Sequence, residues 1–189
     1  PWLLARLLAL ALLAAAQPWA WAQASSSVRI IGYSVNNDEP DKKLYRIDMA
    51  SGEATAIGPT GTSKIEALAL GSDGQLYGVN PATAQLLKCS TTSGACTVVG
   101  SLSGISPTLT GNAGLSFAAD GQLYLAMNAG LFRLDPATGN AAFVGATGVA
   151  VAGLAGLAPQ PGCVSGLYAL GSNTDRGRFY CVHTANGSL

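Results

Sequence analysis

LFRLDPATGNAAFVG, residues 131–145, is the stretch whose reading decides the fold. Set over LLKCSTTSGACTVVG at 86–100 it aligns without a gap, and LYRIDMASGEATAIG at 44–58 aligns with both. FYCVHTANGSL at 179–189 matches its first eleven positions. The copies share a pair of apolar or aromatic residues, a basic residue in three of the four, a polar run ending in Gly, and a closing apolar-Gly pair where the chain reaches that far. The turn glycines Gly52, Gly94, Gly139 and Gly187 are spaced by 42, 45 and 48 residues. A repeat at this period fixes the architecture before any single element does.

Hairpin geometry explains the pattern. Asp135-Pro136-Ala137-Thr138-Gly139 joins an Asp that can bond the backbone, a Pro with preset φ, and a Gly that accepts positive φ. The flanking runs 131–134 and 141–144 are short and β-prone. A second element also recurs. ALALGSDGQLYGVN at 67–80 matches GLSFAADGQLYLAM at 114–127, and 154–170 is a looser copy. Asp73-Gly74 and Asp120-Gly121 read as two-residue hairpin turns. Tyr77, Tyr124 and Tyr168 lie 47 and 44 residues apart.

The unit is therefore four strands: an apolar strand, a DG turn, an LY strand, and the hairpin copy. Four antiparallel strands at this period predict an all-β chain, a β-propeller of four-stranded antiparallel blades. A β-solenoid or a stacked sandwich is the alternative, but solenoid coils are usually shorter. The expected organisation is a leader at 1–24 and a propeller domain at 25–189, with a partial blade at 28–58, blades at 65–100 and 112–145, and a partial blade at 152–189. Val28–Val35 reads as a strand. The two partial units could complete one blade and close a ring of four. Because the sequence starts at Pro1 rather than Met and the last copy stops at Leu189, the expectation is instead an incomplete ring with further blades.

With those copies and DGQLY in hand, the chain resembles secreted bacterial propellers whose blades read LY-x-x-D-x-x-TG-x-x-x-x-VG. That set includes lactonase-like, NHL-like and quinoprotein-like repeat proteins, and the resemblance covers nearly all of the chain after the leader. It implies a propeller fold. For the lactonase-like members it implies a metal site in the central channel. Quinoprotein repeats carry a Trp a few residues after TG, where this chain has Asn140-Ala141-Ala142-Phe143, so no quinone cofactor is expected. The NHL-type and WD-type signatures are also incomplete.

The leader is read from Leu7–Ala16, an apolar run preceded by Arg6, broken by Gln17-Pro18, and followed by Ala20-Trp21-Ala22 and Ala22-Gln23-Ala24, both small-x-small cleavage patterns. The run falls short of the roughly 20 residues that span a bilayer. Secretion or a periplasmic location follows, with no membrane span after cleavage. Lys plus Arg and Asp plus Glu each number 10, and charged residues are 11% of the chain against about 25% in ordinary domains. Such a balance gives no electrostatic case for nucleic acid or an anionic membrane. Few charges and 24 glycines suit sheets buried on both faces.

Four cysteines, Cys89, Cys96, Cys163 and Cys181, are an even number in an exported chain, which predicts disulfides. Cys89 and Cys96 occupy matched positions on the two arms of one hairpin copy. Cys163 and Cys181 then pair by elimination. A metal or redox thiol site would need CxxC-like spacing or a nearby His, and neither is present.

The chemical inventory is short. His183 is the single His, at a turn position where the sibling copies carry Asp48, Ser90 and Asp135, so a solvated side chain is expected. Asp73, Asp120 and Asp135 sit in turns whose chemistry accounts for them. Asp38-Glu39 and Asp41 form an acidic loop that matches no calcium-loop spacing. One constellation stands out: Asn36, Asn80, Asn128 and Asn173 each follow a second strand, and Glu66 begins an apolar strand on the same face. An amide ring with one carboxylate could bind a polar ligand or a metal, although Asn also commonly starts a turn. No catalytic set is visible. The expected function is an exported binding module for an unknown protein or small polar ligand. The alternative is a metal-dependent, lactonase-like hydrolase with ligands such as Glu66, Asn80 and Asn128.

Overall fold

The computed structural model describes residues 29–37, 40, 42–105, 113–127, 129–172 and 176–189. The leader at 1–24 and its cleavage patterns, the acidic residues Asp38, Glu39 and Asp41, and Asn128 and Asn173 lie outside the described residues. The described chain forms four antiparallel sheets of three, four, four and three strands. The first holds β1 (Ile31–Val35), β2 (Lys43–Asp48) and β3 (Ala54–Pro59). The second holds β4 (Ala67–Leu70), β5 (Leu76–Asn80), β6 (Gln85–Cys89) and β7 (Cys96–Ser101). The third holds β8 (Ala113–Phe117), β9 (Leu123–Met127), β10 (Gly130–Leu134) and β11 (Ala141–Ala146). The fourth holds β12 (Val151–Gly156), β13 (Leu167–Gly171) and β14 (Phe179–Cys181). Each strand pairs with its neighbour in sequence, so every sheet is a meander. No helix among the described residues is long and apolar enough to cross a membrane.

The four hairpin turns share one hydrogen-bond pattern. In the first, the Asp48 amide donates to the Glu53 carbonyl and the Gly52 amide donates to the Asp48 carbonyl. The same two bonds recur at Ser90, Asp135 and His183 with Gly94, Gly139 and Gly187. The four glycines have φ of 75°, 82°, 79° and 78°, a region that disfavours any Cβ. Asp48 Oδ1 accepts the Ala50 amide, Ser90 Oγ accepts the Thr92 and Ser93 amides, and Asp135 Oδ1 accepts the Ala137 amide. Asp and Ser alternate because either supplies that oxygen. His183 takes the same backbone place and is exposed.

The DG turns differ from the sequence expectation. The Gly71 amide bonds the Gln75 carbonyl and the Gly74 amide bonds the Gly71 carbonyl, with Gly74 at φ 77°. This is a longer loop, a type I turn closed by a positive-φ Gly, and not a two-residue hairpin. Asp73 Oδ1 accepts the Gln75 amide, and Asp120 Oδ1 does the same for Gln122. The fourth sheet has no DG pair, and residues 157–166 join β12 to β13 instead.

Strand pairing sets two faces on each sheet, because residues opposite one another share a face. On one face lie Tyr33 and Val35, then Tyr77 and Val79, then Tyr124 and Ala126, each turned toward the next sheet in the row. Tyr33 and Val35 pack with Leu76 and Leu87. Tyr77 and Val79 pack with Leu123 and Leu125, and Tyr124 and Ala126 pack with Leu167 and Ala169. The core is thus three apolar layers between four sheets. The repeated basic residue is the cross-strand partner of the repeated tyrosine: Arg46 with Tyr33, Lys88 with Tyr77, and Arg133 with Tyr124. In the fourth sheet Cys181 takes that place opposite Tyr168.

The closing apolar-Gly pair has a role that the sequence reading left unassigned. The pairing of the last two strands slips by one residue at Leu44/Tyr45, Leu86/Leu87 and Leu131/Phe132, in the same place each time. Beside each bulge a glycine presses on the hairpin turn of the following sheet. A Cβ on Gly58 would meet the Ser93 carbonyl oxygen at 2.2 Å, one on Gly100 would meet Thr138 O at 2.0 Å, and one on Gly145 would meet Asn186 O at 1.7 Å. The turn glycines face these joints from the other side: a Cβ on Gly94 would meet Gly58 O at 2.4 Å. The closing glycines Gly58, Gly100 and Gly145 and the turn glycines Gly94, Gly139 and Gly187 therefore sit at the contact between sheets, whereas a Cβ on Gly52 would meet nothing within 4 Å.

Both expected disulfides are present. Cys89–Cys96 bridges directly opposite residues of β6 and β7, and Cys163–Cys181 ties the loop at 157–166 to β14.

Candidate functional site

The meander gives each sheet two ends. At one end lie the DG turns and the hairpin turns. At the other lie the starts of β4, β8 and β12, the ends of β1, β5, β9 and β13, and the links between sheets. Of the expected ligand-binding residues, Asn36, Glu66 and Asn80 are described, and all three are at this link end.

Asn80 closes β5 and is 2% exposed. Its Nδ2 donates to Thr62 Oγ1 at 2.9 Å and to Ser63 Oγ at 3.3 Å, so the side chain holds the link at 60–66 in place. Its Oδ1 is buried with no hydrogen-bond partner, and so is Thr60 Oγ1. The Glu66 amide donates to the Val79 carbonyl, one residue before Asn80. The Glu66 side chain is half-buried and forms an ion pair with Lys64 at 2.5 Å. It borders a groove of about 320 Å³ between β1 and the start of β4, lined also by Tyr33, Asn37 and Leu68. The structure thus brings Glu66 and Asn80 onto one link but gives them different partners.

Asn36 follows β1, and its amide donates to the Lys43 carbonyl. Its neighbour Asn37, which the repeat comparison passed over, also ties the first sheet to the link. Asn37 Nδ2 donates to Ile65 O at 2.7 Å, and the Ile65 amide donates to Asn37 Oδ1 at 3.1 Å. A tandem Asn-Asn after a strand was the only signal, and it does not say that Asn37 would bond Ile65.

A cleft of about 400 Å³ opens at the turn end, bordered by Asp120, Ser165, Cys181, His183 and Thr184. The Tyr124 hydroxyl donates to Asp120 Oδ2 at 2.9 Å. Burial raises the Tyr124 pKa above the usual phenol range, and the bond to Asp120 adds to the rise. Tyr77, at the matching place in the second sheet, is likewise raised by burial. Among the described residues no group of three or more His, Cys, Asp and Glu is placed to hold a metal ion.

No protein-family model matches the chain, and no curated protein matches it. Solved structures do. A structural-genomics protein of unknown function from Bacteroides thetaiotaomicron is 20% identical at a TM-score of 0.52, over 74% of this chain and 39% of that one. The structure of a nidogen/laminin complex matches at 17% identity and a TM-score of 0.58, over 85% of this chain and 59% of that one. The fold is of the β-propeller type. The chain spans about two fifths and three fifths of these two propeller chains. Virginiamycin B lyase from Staphylococcus aureus is a looser neighbour, 13% identical at a TM-score of 0.44, over 74% of this chain and 48% of that one. The fold alone does not choose between a binding and a catalytic role.

Proposed function

We propose that this chain is an exported β-propeller segment that works as a binding module through its link end. In this reading residues 1–24 are a cleaved leader and 25–189 one domain, with the four sheets as two complete and two partial blades. The protein is secreted or periplasmic, a placement with which two disulfides are consistent. The binding candidates are Glu66, Asn36 and Asn80, together with Asn128 and Asn173, and the ligand is a protein segment or a small polar molecule.

The observation that carries the reading is the state of Glu66. Glu66 is the carboxylate expected to anchor a metal, and it is paired with the Lys64 ammonium at 2.5 Å. A hydrolytic metal centre needs charged or imidazole ligands around an open position. A groove of backbone edge, amide and tyrosine suits recognition of a polar partner better.

One observation favours the second reading, a metal-dependent hydrolase: Asn80 Oδ1 and Thr60 Oγ1 are oxygens without partners in a buried place. Elemental analysis of the purified protein separates the two. The binding-module reading expects no stoichiometric divalent metal and no change of metal content in Glu66→Gln. One bound metal per chain, lost in Glu66→Gln, together with metal-dependent hydrolysis of a lactone, would favour the hydrolase reading instead.

A further inference from the structure

Asn186-Gly187 is the one Asn-Gly pair in the sequence, and it falls in the fourth hairpin turn. The sibling turns carry Ser51, Ser93 and Thr138 at the same place, each before its turn glycine. All four side chains make the same bond. Ser51 Oγ accepts the Glu53 amide, Ser93 Oγ the Ala95 amide, Thr138 Oγ1 the Asn140 amide, and Asn186 Oδ1 the Ser188 amide. The turn asks only for an acceptor oxygen, which Ser, Thr and Asn all supply. Their reactivity differs. A Ser or Thr hydroxyl offers the following amide no carbon to attack, whereas the Asn side-chain amide carbon lies within reach of the next main-chain nitrogen. Gly hinders that nitrogen least, because it has no Cβ.

We propose that Asn186 is a site of spontaneous deamidation, protected by the folded turn and released when the turn opens. The Gly187 nitrogen attacks Asn186 Cγ, and the bond from Cγ to the side-chain nitrogen breaks. The proton that Gly187 gives up leaves with that nitrogen as ammonia. Water then opens the cyclic imide: cleavage at Cγ gives aspartate, and cleavage at the main-chain carbonyl gives isoaspartate. In the folded turn both reacting groups are held. The Gly187 amide donates to the His183 carbonyl at 2.7 Å. Asn186 Oδ1 accepts the Ser188 amide at 3.1 Å and the Ser188 hydroxyl at 2.9 Å, although the residue is exposed to water. The product matters because of where the turn sits. A Cβ on Gly145 would meet the Asn186 main-chain oxygen at 1.7 Å, so this carbonyl is part of the joint between the third and fourth sheets. In isoaspartate that carbonyl becomes a free carboxylate, and the main chain into Gly187 is one atom longer. The altered turn then no longer seats on Gly145.

Peptide mapping by mass spectrometry tests this on the disulfide-intact protein, kept at mildly alkaline pH either folded or in concentrated guanidinium chloride. The amide-to-acid mass gain at Asn186 is expected in both, at least about tenfold slower in the folded protein, where reaction waits for local opening. Gly145→Ala crowds the joint and is expected to bring the folded rate closer to the unfolded one. Ser188→Ala, which removes the hydroxyl bonded to Asn186, takes its place should Gly145→Ala not keep the β-sheet circular dichroism of the wild type. Asn186→Ser copies the sibling turns and is expected to keep the wild-type thermal midpoint with no mass gain at this position. The isoaspartyl form, recognised by labelling with an isoaspartyl methyltransferase, is expected to melt below both once refolded. Equal rates in the folded and unfolded protein overturn the proposal. So does an absence of conversion in guanidinium chloride, a folded rate that neither variant raises, or an isoaspartyl form that melts with the wild type.

Discussion

Asp135 looks catalytic out of context and is held by the turn that it builds. The Thr138 hydroxyl donates to Asp135 Oδ2 at 2.7 Å and the Ala137 amide to Oδ1 at 2.9 Å. These bonds, Thr138 first, hold its pKa below the usual carboxylate range. Asp48 is lowered in the same way, first by Arg29 and then by the Ala50 amide. A folded-state pKa below the unfolded one means that the stability is present in full above the ordinary carboxylate range. It is lost as pH falls through the lowered folded value. Asp135→Ala should therefore lower the thermal midpoint at neutral pH and differ less from wild type in acid. Asp135→Ser should recover much of the loss, because Ser90 already fills that place in a sibling turn. Thermal unfolding followed by circular dichroism at both pH values reads this directly, and a midpoint unchanged by Asp135→Ala would remove the turn role.

Among the elements, the hairpins were legible in the sequence and the joints between them were not. Asp135 to Gly139 announced its turn because the chemistry is local: an oxygen acceptor, a Pro and a positive-φ Gly within five residues. The cross-strand place of Cys89 and Cys96 followed from aligning copies. Gly100 announced nothing, because its partner Thr138 lies on the following sheet and only packing brings them together. The third strands hide a similar feature. Lys42, Ala84 and Ala129 precede β2, β6 and β10 with φ of 38°, 47° and 57°, and their carbonyls accept the amides of Thr60, Leu102 and Thr147. No Gly marks those positions, so composition could not find them. The same limit applies at the site: Asn36 was singled out by repeat position, while Asn37 makes the contacts to Ile65. The disulfides are the elements with the clearest energetic consequence. Replacing Cys89 and Cys96 together by Ser should cost about 2.5 kcal/mol, and replacing Cys163 and Cys181 about 3 kcal/mol, since the second pair closes the longer loop. Urea denaturation of the two double variants checks both the sizes and their order.

For the whole molecule, the repeat is best understood as a device for stacking sheets. The charged turn residues shape the turns, the tyrosines and leucines fill three apolar layers, and the glycines let one sheet lie against the next. Residues free to differ between units collect at the link end, where Asn80, Glu66 and Asn37 each do something different. The proposed binding role draws on that end, and the constant parts of the repeat supply the frame.

Gly94 and Gly52 provide the most direct measurement of that claim. They hold the same place in the repeat and nearly the same φ, 82° and 75°, so an Ala at either carries the same backbone strain of about 1 kcal/mol. They differ in one respect: Gly94 lies against Gly58 of the preceding sheet, and Gly52 has nothing within 4 Å of its Cβ direction. Urea denaturation of Gly52→Ala and Gly94→Ala should show a loss of about 1 kcal/mol for the first and about 1–3 kcal/mol more for the second, from the overpacked joint. Equal losses at the two positions would contradict the account, because the repeat glycines would then serve their turns and not the contact between sheets.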